Sequence, residues 1–289
     1  MCDLRGFTDL TNRLPPERVV RLLNHYLGAM AEVVASFGGT VDEFVGAAVL
    51  ACFGAPIGRE DDALRAVACA LHMQQAMSAV NERNWREGLP EIVMGVAVHT
   101  GPVVVGNVGC ATRAKYSAVG AAVNLTARLE ACTVGGDVLI SESTLESAGP
   151  FVDVGESTRL EVKGFDRPIT AYSVMGVPGP YSCRLHGQAP LTLHPIDPGL
   201  ETRCAVIQDK QVRGEEFDAR ILRLSSRGAE LLVSRGLRTL TDLRLRVAGA
   251  SGDIYAKVLE VSEDHTCRVR FTAVAPAADA VLRAALGEA

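Results

Sequence analysis

Asn124 and Arg128 stand four residues apart in the segment AAVNLTARLEACT, a spacing that puts both on one face of a helix. A guanidinium so placed suits an anionic ligand, because its planar fork matches phosphate oxygens. Near the start, Asp3 precedes the turn Arg5-Gly6-Phe7-Thr8. That turn leads into a helix, so its backbone N–H groups also suit phosphate oxygens. A third place for chemistry is VDEFVGAAVLACFGAP, Val41 to Pro56, which reads as a strand, a tight Gly46 turn and a second strand. Asp42 and Glu43 precede that turn, and Ala47 and Ala48 follow it. The histidines offer no such grouping: His25 and His72 fall in helical segments, and His99 falls beside a turn. No Ser–His–Asp or Cys–His arrangement follows from their spacing. The eight cysteines are scattered without a CxxC pair, which argues against a zinc site and a disulfide framework and for reduced cytosolic thiols.

These residues need elements to hold them. Pro15 and Pro16 open a helix whose apolar residues Val19, Leu22, Leu23, Tyr26, Leu27, Met30, Val33, Val34 and Phe37 recur at helical spacing. Gly38 and Gly39 end it. EDDALRAVACALHMQQAMSAVNER is a second helix with acidic residues in its first turn, matching the helix dipole. EIVMGVAVHTGPVVVGNVG predicts a hairpin about His99-Thr100-Gly101-Pro102. The Asn124 helix follows, and GGDVLISESTL, FVDVGESTRLEVKGF and ITAYSVMG complete a sheet-rich remainder. Strands alternate with helices but hairpins intervene, so the class is α+β rather than a doubly wound parallel fold.

Residues 177–200 are rich in Pro and Gly and predict a linker. Beyond it, CAVIQD, EFDARILRLS, GAELLVS, DLRLRVA, IYAKVLEVS and CRVRFTAV predict the strands of a small β-barrel, closed by the helix AADAVLRAAL. A hydrophobic content of 48% supports buried cores, and a net charge of -5 without a basic face gives no footprint for nucleic acid. No apolar run reaches the roughly 20 residues needed to cross a bilayer, and no signal segment opens the chain, so a cytoplasmic location is expected. Met1 drops directly into what reads as the end of a strand, and two readings stay open: a start further upstream with room for a sensor domain, or a true start whose Asp3 strand lacks most of its pairing.

The segments CDLRGFTDLT, DEFVGAAVLACFGAP, GVAVHTGPVVVGNVG, YSAVGAAVNLTARLE and LEVKGF, in that order, closely resemble the catalytic domain of class III adenylate/guanylate cyclases. The resemblance spans residues 1–176 and implies a ferredoxin-like two-layer fold that dimerises head to tail. Such enzymes turn a nucleoside triphosphate into a 3′,5′-cyclic nucleotide and pyrophosphate at the dimer interface. Asp3 then matches the first metal aspartate, the Leu4 carbonyl lies beside the same ion, and Phe7 and Thr8 belong to the phosphate turn. Asn124 matches the residue that orients the ribose, Arg128 the one that stabilises charge on the α-phosphate, and Lys163 a triphosphate-binding lysine.

Glu43 and Ser117 fall at the two purine-reading positions. Their donors and acceptors suit guanine, with Glu43 accepting from N1–H and N2–H₂ and Ser117 donating to O6, but a serine can rotate to serve either base, so GTP and ATP both stay open. Where the family carries its second metal aspartate, directly after the hairpin glycine, this chain has Ala47. A weakened site for Mg²⁺ or Mn²⁺ follows, and with it impaired catalysis. The chain then works as a homodimer, or as a heterodimer with an intact cyclase chain. The alternative is a catalytically inactive pseudocyclase acting as a nucleotide-binding or heterodimerising regulatory module. Residues 201–289 more faintly resemble a PilZ domain through Ser225 and Gly228 of RLSSRG. Arg223 replaces that motif's acidic residue, and Arg203 is followed by Ile207 where a second arginine belongs, so cyclic di-GMP is not an expected ligand.

Overall fold

The computed structural model describes residues 1–110, 112–160, 168–185, 191–208 and 211–287, and they divide into two compact units, residues 1–188 and 189–289.

The first unit is built on a mixed sheet. Its strands are β1 (Cys2–Leu4), β2 (Thr40–Val45), β3 (Ala48–Cys52), β4 (Met94–Val98), β7 (Val138–Ser141), β8 (Asp153–Leu160), β9 (Ile169–Val177) and β10 (Cys183–Arg184). The order is β10-β9-β7-β4-β1-β3-β2, with β8 also on β9. All pairings are antiparallel except β4 with β7. The remaining strands, β5 (Val104–Cys110) and β6 (Arg113–Val119), form a separate two-stranded ribbon.

Alternation along β1 shows how the sheet is covered. Cys2 and Leu4 point into the main core with the two long helices, α2 (Pro16–Ser36) and α3 (Asp62–Arg86). Helix α2 contributes Leu22, Tyr26, Met30 and Val34, at the four-residue spacing of one buried face. Arg65, 3% exposed, fastens the start of α3 to the end of α2 by donating to Asp61, Asp62 and the Phe37 carbonyl. Helix α4 (Ala121–Cys132) lies on the opposite face, a partial third layer beyond the two expected. Its seat is Gly95 of β4, where any Cβ would collide with Thr133 and Arg5.

The turn His99-Thr100-Gly101-Pro102 does not make the expected hairpin. Strand β4 has both edges taken by β1 and β7, and β5 turns away to pair with β6. Turn chemistry is local and cannot say which sheet the next strand joins. The segment after β7 also differs: Ser141 caps a short helix, α5 (Glu142–Ala148), by accepting from the Thr144 N–H.

The second unit is a closed six-stranded barrel with the order β11-β12-β13-β16-β15-β14. Its strands are β11 (His194–Gln208), β12 (Gln211–Ser225), β13 (Gly228–Val233), β14 (Asp242–Val247), β15 (Ile254–Val261) and β16 (Thr266–Val274). Helix α6 (Pro276–Leu286) follows and contributes Ala278 and Leu282 to a core formed with Ile221, Leu231, Leu245 and Val269. Strand β11 starts inside the stretch that reads as a linker. Its prolines sit in the irregular part, where the register with β12 shifts between Pro195 and Leu200. All eight cysteines are free, and burial pushes the Cys69 and Cys204 thiols up to about 12.

Candidate active site

Asp3 lies in the centre of the sheet. Strand β1 runs between β3 and β4, with Asp3 opposite Gly95, and the chain then leaves through Arg5, whose N–H donates to the Val93 carbonyl at 2.9 Å. Asp3 Oδ1 accepts from the Leu4 N–H at 2.9 Å. Gly6, at φ 67°, makes the left-handed step that starts α1 (Phe7–Arg13). Thr8 is exposed and Phe7 half-buried at the head of that short helix.

The hairpin β2–β3 turns on Gly46 and Ala47, and Gly46 takes the positive φ that a two-residue turn requires. Ala47 is 3% exposed and belongs to the same core as Cys2 and Leu4. A methyl thus occupies the position where the family pattern expects a second carboxylate.

The two residues expected to read a purine come together. Ser117 on β6 donates to Asp42 Oδ2 at 3.0 Å, and Glu43 on β2 forms an ion pair with Lys115 on β6. The Ser117 proton, expected to face a purine O6, points instead to Asp42. Glu43 and Lys115 are each 41% exposed at the side chain, so their pair is a weak surface bridge that a ligand can exchange for its own hydrogen bonds. Asp42 and Lys115 escape sequence reasoning, because each pairing spans more than seventy residues. The one local signal was Asp42 beside Glu43 ahead of the turn.

Asn124 and Arg128 do share one side of α4. Asn124 is exposed and Arg128 half-buried, while Ala122, Leu125 and Leu129 face inward. Among the described residues neither Asn124 nor Arg128 is held by an ion pair or a side-chain hydrogen bond, so both remain available to a ligand. The far end of the same helix is fixed to the Asp3 strand. Arg5 donates to the Glu130 carbonyl at 2.8 Å, pairs with the Glu130 carboxylate and donates to Thr133. Lys163 lies outside the described residues.

His99 directly follows β4. Its Nδ1 meets Ser141 Oγ at 2.8 Å, and Ser143 donates to the Thr100 carbonyl at 2.7 Å. Burial holds the imidazole below its ordinary 6.5. The unfolded chain therefore takes up this proton more readily than the folded one, so stability is full above about pH 6.5 and falls as pH drops below it. Melting temperatures of the His99→Gln protein are expected to fall less steeply over that window than those of the unmutated protein.

The donor set fits one hard cation. Asp3 and the Leu4 carbonyl supply hard oxygens, and Mg²⁺ is commonly held by one or two carboxylates together with substrate phosphates. Among the described residues no group of three or more His, Cys, Asp or Glu is placed to hold a metal.

Comparison with known proteins points the same way. Residues 1–176 match the model of the adenylate and guanylate cyclase catalytic domain. An adenylate cyclase of Anabaena cylindrica is 35% identical over 184 residues, which cover 60% of this chain and 35% of that protein. Adenylate cyclase 1 of Rhizobium meliloti is 34% identical, over 61% of this chain and 27% of that protein. The chain therefore spans about a third of the length of these curated relatives. The crystal structure of the guanylyl cyclase Cya2 superposes with a TM-score of 0.63 at 48% identity, covering 64% of this chain and 93% of that one. The adenylyl cyclase CyaB from P. aeruginosa gives 0.58 at 35% identity, over 61% of this chain and 92% of that one.

Proposed function

Since the chain belongs to the adenylate and guanylate cyclase catalytic family, we propose that it binds a nucleoside triphosphate and takes part in forming a 3′,5′-cyclic nucleotide, with activity impaired on its own. The observation that carries this reading is the unequal state of the two halves of the site. Asn124 and Arg128 stand available on α4, whereas the metal side keeps Asp3 and has lost its second carboxylate at Ala47.

In the reaction the ribose 3′ oxygen loses its proton and attacks the α-phosphorus in line; the bond to the β-phosphate oxygen breaks and pyrophosphate leaves. Asp3 and the Leu4 carbonyl would hold a Mg²⁺ or Mn²⁺ ion, which would supply Lewis acidity toward that hydroxyl. Asn124 orients the ribose, and Arg128 balances the charge that builds on the α-phosphate. The N–H groups at Phe7 and Thr8 take phosphate oxygens, and Lys163 is assigned to the triphosphate. Glu43, an acceptor, favours the N1–H and N2–H₂ edge of guanine over adenine, so GTP is the first substrate to test and ATP the second.

Two copies of the fold are required, because the family pattern places Asp3 of one chain opposite Asn124 and Arg128 of the other. Exposed apolar residues support a paired state. Phe44 and Val45 at the tip of β2, and Val104, Val108, Tyr116 and Val119 on the ribbon, are all at least 44% exposed. A two-stranded ribbon is marginal in water unless something covers it. A heterodimer is favoured by Ala47: paired with an intact chain, this one lends its base, ribose and phosphate groups to the partner's complete metal site. A purely regulatory pseudocyclase is the second reading, and it rests on the same alanine.

The barrel we assign as a PilZ-like module without its ligand. Ser225 Oγ donates to the Gly228 carbonyl at 3.2 Å, as expected of a tight motif turn. Arg203 faces Glu216 and Asp218, and Arg223 donates to the Leu193 carbonyl. Among the described residues no helix is long and apolar enough to cross a membrane.

The test is product formation from GTP and ATP, with Mg²⁺ and Mn²⁺. The full chain is assayed alone and mixed with an intact cyclase chain whose own ribose and phosphate residues have been removed. Weak turnover alone and a clear gain on mixing are expected. No turnover in any mixture, with no nucleotide bound, would rule the proposal out.

A further inference from the structure

Ser117 has one hydroxyl proton, and Asp42 receives it. The Oγ–Oδ2 distance is 3.0 Å, and an ionised carboxylate only accepts. Asp42 is the extra residue of a bulge in β2, between the register pairs Val41–Ala51 and Glu43–Leu50. A bulge breaks the strict up-and-down alternation of a strand and re-aims the side chain it carries. Here it lets two consecutive carboxylates serve two residues of one neighbouring strand: Asp42 reaches Ser117, and Glu43 reaches Lys115.

We propose that Asp42 is a positioning residue for base choice: by taking the Ser117 proton, it presents Ser117 to the purine as a hydrogen-bond acceptor. This rests on the reading of Glu43 and Ser117 as the base-reading pair. A hydroxyl whose proton is committed offers only lone pairs. Those lone pairs match the 6-amino group of adenine and oppose the 6-oxo group of guanine. Glu43 favours the guanine edge at N1 and N2, so the two readers pull in opposite directions. Asp42 is the group that turns Ser117 against guanine and narrows the preference for GTP over ATP.

The experiment is equilibrium binding of GTP and ATP in Mn²⁺, by competition against a fluorescent nucleotide analogue. Four full-length proteins are compared: unmutated, Asp42→Ala, Ser117→Ala and the double variant. Asp42→Ala is expected to raise the GTP-to-ATP affinity ratio about tenfold, the scale of one hydrogen bond gained at O6. In the Ser117→Ala background the same change is expected to leave the ratio where it was, which a merely structural role for Asp42 does not predict. Asp42→Leu keeps much of the bulk at the bulge and removes the acceptor that holds the Ser117 proton. It should move the ratio in the same direction and serves where the alanine variant does not fold. An unchanged ratio, or an equal shift in both backgrounds, overturns the inference while the nucleotide-binding proposal stands. Failure of the unmutated protein to bind either nucleotide overturns both.

Discussion

Ala47→Asp is expected to raise turnover about a hundredfold or more in Mg²⁺ or Mn²⁺. A Lewis-acidic ion at a reacting hydroxyl and phosphate is worth several kcal/mol, and each 1.36 kcal/mol is a factor of ten in rate. The unmutated chain has one fixed carboxylate for that task, and the substitution supplies the second. Burial sharpens the expectation. Ala47 is 3% exposed, so a carboxylate there is an unpaired buried charge until a cation arrives. The variant should therefore melt lower than the unmutated protein in a chelator and recover its stability when Mn²⁺ is added, whereas the unmutated protein should respond far less. Equal turnover of the two proteins would remove Ala47 as the cause of impaired catalysis.

Glu130→Ala is expected to destabilise the first unit by about 3–5 kcal/mol, the usual cost of deleting one partner of a buried ion pair. The side chains of Arg5 and Glu130 are 13% and 5% exposed. Removing the carboxylate leaves the guanidinium without its counter-charge, its Nε being already buried without a hydrogen-bond partner among the described residues. For a unit of this size the melting temperature should fall by about 10 °C or more. Replacing both partners, as Arg5→Met with Glu130→Leu, should cost much less, since no charge is left behind. Thermal melts of the three proteins decide the point, and equal losses from the single and double variants would show that packing rather than charge is at stake. Nucleotide affinity should follow stability, because the pair ties the strand of Asp3 to the helix of Asn124 and Arg128.

The long elements were legible because their signals are local. The four-residue recurrence of Leu22, Tyr26, Met30 and Val34 is the buried face of α2, and the alternation of Leu243, Leu245 and Val247 is the inward face of β14. Helix α5 carries a local signal of its own, since Ser141 is an N-cap followed by the acidic Glu142 in the first turn. What sequence cannot supply is pairing at a distance. Nothing near His99 says that β5 abandons β4 for a ribbon. Nothing near Arg5 points to Glu130, 125 residues on. The assignment of Glu43 and Ser117 to a purine rests on family pattern alone, while their partners, Lys115 and Asp42, come from the fold, each more than seventy residues away.

The barrel strands also differ from the first sheet in how they end. Sheet strands finish at an open edge on β2, and the first unit exposes apolar side chains there and on its ribbon. In the barrel, β11 and β14 seal the ring through the pairs from Thr202–Val247 to Ile207–Asp242, so every strand has two neighbours. Such a unit has no edge to offer a growing β-stack. Any association of the chain by strand addition at high concentration should therefore run through the β2 edge of the first unit and not through the barrel.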